Sequence, residues 1–258
     1  IAIGMETPGI FMDAVKTDIS EFFTSTDSTY DVVLESEQLK LVSNIKHSHC
    51  DCGGVMEHTC DETIEWTALT VDTVLEDGGH YYLIEDLNRQ IKVPENATIY
   101  LCLNGHALTS GGRLFDTISA GKTLNVYDCG LSGTAHSRND NNAPVALVNG
   151  GTLNIYGGSY SANAITAENK NGGVLMAMND GVINFYNGTI TGGNATGMGG
   201  CVYITNDAQF NMYGGSVTNG ISAKDGGTIA IAGNAKFTML GGCVTEIGRA
   251  SCRERVCA

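Results

Sequence analysis

Along residues 121–246 the apolar positions fall in short alternating runs separated by glycine-rich turns. One run recurs five times: Leu124-Asn-Val-Tyr127, Leu153-Asn-Ile-Tyr156, Ile183-Asn-Phe-Tyr186, Phe210-Asn-Met-Tyr213 and Phe237-Thr-Met-Leu240. Period-two alternation predicts strands with the first and third residues facing a core. Four residues after each run comes a further apolar residue: Leu131, Tyr160, Ile190, Val217 and Val244. A glycine turn lies between, as at Gly157-Gly158 and Gly241-Gly242. A second small pair then introduces a third strand: Ala143-Pro144, Gly172-Gly173, Gly199-Gly200 and Gly226-Gly227. In that strand the expected inward pairs are Val145 and Leu147, Leu175 and Ala177, Val202 and Ile204, and Ile229 and Ile231.

Units therefore start near Gly121, Gly150, Asp180, Asp207 and Asn234, at spacings of 29, 30, 27 and 27 residues. Strands this short cannot bury a face alone, but stacked copies can, each pairing with its equivalent in the next unit. Equivalent strands run in the same direction, so the sheets are parallel. The prediction is an all-β right-handed parallel β-helix, a solenoid with three short strands per coil, the hand following from the usual crossover rule. An antiparallel sandwich also uses short strands and glycine turns, but does not require an in-phase repeat.

Before the regular coils, strands are expected at Tyr81–Ile84, Ile91–Val93, Thr98–Leu103 and Leu114–Ile118, with Trp66 covering the end of the core. The resulting division has a signal-peptide remnant at 1–14, a linker at 15–46 and a His/Cys motif at 47–62. A cap and first coils follow at 63–120, regular coils at 121–246 and a non-native tail at 247–258. The tail, Ile247-Gly-Arg-Ala-Ser-Cys-Arg-Glu-Arg-Val256, breaks the preceding pattern and resembles a translated sequencing adapter, which implies that the native chain continues past Glu246.

Composition narrows the function classes. The chain has 34 Gly and only 3 Pro in 258 residues, which suits tight turns with positive φ. The formal net charge of −14 makes nucleic acid a poor partner, because phosphate contacts need Lys and Arg. No stretch is long enough to span a membrane as a helix. A monomer in a secreted, extracellular or wall-associated setting is expected.

Two clusters carry candidate chemistry. His47, His49, Cys50, Cys52, His58 and Cys60 place six potential ligands within 14 residues. Thiolate and imidazole at this density suit one structural zinc held by Cys50, Cys52, His58 and Cys60, with His47 or His49 as alternates. A disulfide from Cys50 or Cys52 to Cys60 is the alternative. The second cluster is a surface strip. Alternation turns Asn125, Asn154, Asn184 and Asn211 outward beside Tyr127, Tyr156, Tyr186 and Tyr213. Tyrosine offers a rigid face with a polar tip, useful against sugar rings, so the strip is a candidate for a glycan or host-surface ligand. The plainer and preferred reading is an Asn ladder that only stabilises, with Tyr packed at the sheet corner.

Trp66-Thr-Ala, Gly79-His-Tyr-Tyr-Leu83 and above all Leu101-Cys-Leu-Asn-Gly-His106-Ala-Leu-Thr109 resemble a family of bacterial extracellular β-helix surface proteins with the pectate-lyase-like fold. The likeness covers roughly residues 47–246. It implies a secreted or wall-associated repeat protein and brings no defined activity. The functional expectation is a non-catalytic module for adhesion, binding or spacing. The alternative is a polysaccharide lyase or glycoside hydrolase with its catalytic residues elsewhere. Paired carboxylates or a strand-borne base are not evident in the repeats, and Asp180 and Asp207 read as turn residues.

Overall fold

The computed structural model describes residues 64–246 continuously, together with 2–3, 9–12, 20, 23–25, 30–35, 37–43, 47–49 and 256–257. The chain divides into two units, Ile1–Ser48 and His49–Ala258. In the first, Gln38–Ser43 pairs antiparallel with both Tyr30–Glu35 and Gly9–Met12. A hairpin thus lies within the stretch read as a linker.

The second unit is the parallel β-helix that the repeat predicts, with no α-helix among the described residues. Its first sheet runs through Ile64–Leu69, His80–Leu83, Thr98–Cys102, Thr123–Tyr127, Thr152–Ile155, Val182–Phe185, Gln209–Met212 and Lys236–Met239. The second sheet runs from Leu87–Asn88 through Ala107–Ser110, Thr134–Ser137, Ser159–Ala162, Thr189–Thr191 and Ser216–Ser222 to Cys243–Glu246. The third stacks Phe115–Ser119, Ala146–Asn149, Leu175–Met178, Val202–Ile204 and Ile229–Ile231. Successive strands within each sheet pair in parallel, so residues at one repeat position form a column along the axis.

Columns of like residues fill the interior. Ile99, Leu124, Leu153, Ile183, Phe210 and Phe237 stand in one; Leu101, Val126, Ile155, Phe185, Met212 and Met239 in the next. Nearly all are inaccessible to solvent, and the Phe210 and Phe237 rings stack at 5.4 Å. Opposite them, Ala135, Tyr160, Ile190 and Val217 close the core from the second sheet. Tyr160 is fully buried and donates its hydroxyl hydrogen to the Gly157 carbonyl at 2.8 Å, and Ala135 beside it offsets its bulk. Where the chain enters the third sheet the coils lie too close for side chains. A Cβ at Gly173 would collide with the Gly200 carbonyl oxygen, and one at Gly200 with that of Gly227. The glycine pairs are therefore a packing requirement.

Four expectations need correcting. Leu131 does not belong to the second-sheet column: it is 90% exposed with φ +63°, and Ala135 pairs with Tyr160. This coil carries a longer turn, Asp128–Gly133, which delays its second strand by four residues. In the same coil the inward pair of the third strand is Ala146 and Val148, in register with Leu175 and Ala177. Ala143-Pro144 enters the sheet as Gly172-Gly173 does, so Val145 takes the place of Val174 and alternation starts one residue later. Ile231 keeps its register with Ile204 but is half exposed, because no described strand pairs beyond it. Trp66 does not cap the core. It lies on the outer face of the first sheet, buried against Tyr127 and clustered with Tyr82 and Cys102.

Phe185→Ala should lower the free energy of urea unfolding by about 3–5 kcal/mol through loss of buried volume. Leu131→Ala should stay within about 0.5 kcal/mol, as exposed substitutions do. A comparable loss at both positions would return Leu131 to the core.

Candidate functional site

The outer face of the first sheet carries two adjacent columns. In one, His80, with the Trp66 ring edge-on to it at 5.1 Å, and Tyr100 lead into Asn125, Asn154, Asn184 and Asn211. In the other, Tyr82 and Cys102 lead into Tyr127, followed by Tyr156, Tyr186 and Tyr213. Both arise from the same cause. Parallel in-register pairing places identical residues about 4.8 Å apart, so each side chain meets its own kind.

Asparagine suits that spacing because its amide is both donor and acceptor. Asn154 Nδ2 donates to Asn125 Oδ1 at 2.8 Å, Asn184 Nδ2 to Asn154 Oδ1 at 2.8 Å, and Asn211 Nδ2 to Asn184 Oδ1 at 3.0 Å. Asn125 Nδ2 turns to the Ile99 carbonyl at 3.3 Å. The amides form one polarised chain with every donor aimed towards the N-terminal coils. Each bond strengthens its neighbours in a partly dry setting.

The tyrosines stack face to face. Centroids of successive rings from Tyr127 to Tyr213 are 4.7 Å apart, with interplanar angles between 3° and 9°. Tyr127 is buried, Tyr156 and Tyr186 are half-buried, and Tyr213 is 42% exposed. At Tyr186, burial and then the adjacent Tyr213 raise the phenol pKa. Stacking has a chemical consequence: the inner rings spend both faces on one another. What Tyr156 and Tyr186 present outward is ring edge and hydroxyl, a row of polar tips at the coil repeat, rather than an open platform for a sugar ring. Beside them a shallow cleft of about 240 Å³ follows the turn, lined by Asp128, Ser132, Tyr156, Asn187 and Thr189 among others.

The eight strip residues are thus brought together as two continuous columns. Cys50, Cys52, His58 and Cys60 lie outside the described residues, while His47 and His49 belong to a short strand, His47–His49. Asp180 and Asp207 are exposed turn residues with φ near +60°, each preceded by an asparagine that is also left-handed.

Three features escaped the sequence reading. A second asparagine ladder joins Asn149, Asn179 and Asn206, with Nδ2 to Oδ1 distances of 2.9 and 3.3 Å. Hydroxyls line the outer second sheet, where Thr218 donates to Thr191 at 3.1 Å. Cys102 and Cys129 stand side by side, 3.3 Å between sulfurs. The asparagine ladder was detectable as an Asn at or just before the unit starts at Gly150, Asp180, Asp207 and Asn234. The thiol pair was not, because the long Asp128–Gly133 turn hides its register.

Compared with family models, with curated proteins and with solved structures, the chain finds no match in any of the three.

The amide chain makes its own prediction. Asn184→Ala removes two ladder bonds and leaves Asn154 Oδ1 and Asn211 Nδ2 half-buried, at a cost of about 1–3 kcal/mol in urea unfolding. Asn211→Ala removes one of those bonds and should cost less. Equal, negligible losses at both would mean that the ladder adds nothing to stability.

Proposed function

We propose that this chain is a secreted or cell-surface, non-catalytic β-helix module that holds a fixed spacing and binds glycan or host-surface ligands along a narrow polar edge. The observation that carries the reading is the unbroken double column of Asn and Tyr across four coils, flanked by the cleft at Tyr156. A neutral, self-complementary face of this kind is rigid, since each side chain is held by its equivalents above and below. Its hydroxyl tips repeat at a spacing that matches an extended polar ligand better than a single small molecule. The Leu101–Thr109 resemblance supports the extracellular setting.

A glycan array probed with the chain and with a Tyr156→Ala/Tyr186→Ala variant tests it. Binding to one or more extended polysaccharides, weakened about tenfold or more in the variant at unchanged circular dichroism, is the expected result. Unchanged binding, or none at all, contradicts the strip.

The same proposal includes one structural zinc on Cys50, Cys52, His58 and Cys60, with His47 and His49 as alternates. Metal analysis should find about one zinc per chain, and chelation should lower the melting temperature as the metal leaves. A metal-free chain with Cys50 or Cys52 linked to Cys60 would replace the zinc with a disulfide.

A further inference from the structure

Cys102 ends a first-sheet strand and registers with Tyr82 on one side and Tyr127 on the other. A small side chain there interrupts the aromatic column and joins the buried cluster that includes Trp66. Cys129 lies two residues beyond Tyr127, exposed, in the long turn of the next coil. Their sulfurs are 3.3 Å apart, and Cys129 Sγ also reaches Asn104 Oδ1 at 3.4 Å.

The turn is built to keep Cys129 in that place. The Asp128 carboxylate accepts from the Gly105 amide at 2.8 Å with one oxygen and from the Gly133 amide at 2.7 Å with the other, so it anchors the start of the turn to the preceding coil and ties the turn's two ends together. Ser132 Oγ donates to the Gly105 carbonyl at 3.3 Å. Gly130 packs so closely on the Asn104–Gly105 backbone that a Cβ would collide with it. The four-residue lengthening found in this coil therefore wraps around the preceding turn and sets one thiol against another.

We propose that Cys102 and Cys129 are a redox-closed pair whose disulfide staples two successive coils at the aromatic cluster. Closure needs the sulfurs to approach by about 1.3 Å to reach a bond of about 2.05 Å. Side-chain rotation of the exposed Cys129 provides that movement. The oxidant is a small-molecule disulfide, the class supplied by an oxidising extracellular or export compartment. Cys129, the accessible thiol, attacks first as thiolate: its sulfur bonds to one sulfur of the oxidant, and the other leaves as a thiolate. Cys102 then gives its proton to solvent and attacks the Cys129 sulfur, and the second half of the oxidant leaves. Two protein thiols are oxidised and one external disulfide is reduced to two thiols. Burial pushes the Cys102 thiol up to about 12, which fits it to be the second attacker rather than the first.

The test equilibrates the whole chain in glutathione buffers from reducing to oxidising, with a chelator present, followed by alkylation and tryptic mapping. Trypsin cuts after Arg113 and Lys122, so the two cysteines fall in separate peptides, 93–113 and 123–138. The expected result is a linked 93–113/123–138 pair that appears with oxidation and disappears with reduction. Closing a loop of 28 residues should raise the melting temperature by about 5–10 °C over the reduced chain. Cys129→Ser should keep the circular dichroism of the reduced chain and lose both the linked pair and that rise. Separate alkylation of Cys102 and Cys129 in the most oxidising buffer, or linkage of either to another cysteine, would overturn the proposal.

Discussion

Parallel backbone pairing between successive coils is the constraint on which everything else in the β-helix depends. Each strand is hydrogen-bonded to the coil before it and to the coil after it, as when the Tyr186 amide donates to the Ile155 carbonyl and the Tyr213 amide to that of Phe185. Pairing at a fixed repeat means that a residue's nearest neighbours are its own equivalents. The chain must then use only side chains that tolerate copies of themselves. Aliphatic and aromatic residues pass that requirement inside, asparagine and tyrosine outside, and glycine where the coils crowd at Gly173, Gly200 and Gly227.

The surface chemistry is a consequence of the same rule. A charged column at the position of Asn125 to Asn211 would place like charges one strand spacing apart. Neutral amides instead pair along the axis. The adjoining tyrosines stack for the same reason, and in doing so trade their faces for edges. The face that is most ordered is therefore also chemically mild, which suits spacing and edge binding. Reactive groups sit where the repeat is broken. Cys102 replaces an aromatic in its column, and Cys129 rides on the lengthened turn that Asp128 holds.

Much of this was legible in the sequence. The run Leu-Asn-Val-Tyr and its copies specify the first sheet, its register and both outer columns, because alternation and repetition are local signals. What went unread depended on lengths rather than patterns. Leu131 fits the spacing of Tyr160 and Ile190, yet four extra residues move the strand to Ala135. Val145 and Leu147 look like the inward pair, yet alternation starts at Ala146. Trp66 looks like a cap, but its edge-on contact with His80 and its cluster with Tyr82, Cys102 and Tyr127 place it on the outer face. The strands of the earlier coils align with the regular ones, Thr98–Cys102 on Thr123–Tyr127, but share only their alternation, so their kinship was faint. The strip residues were found because they repeat; the thiol pair was missed because it does not.

Equivalent strands pair in parallel and in register. Through-hydrogen-bond scalar couplings measured by NMR on the isotope-labelled chain test it most directly. Parallel pairing gives couplings from the Tyr156 amide nitrogen to the Val126 carbonyl carbon, from Tyr186 to Ile155 and from Tyr213 to Phe185. Reciprocal couplings between two facing residues of neighbouring repeats, the signature of antiparallel strands, would contradict the coil and every column derived from it.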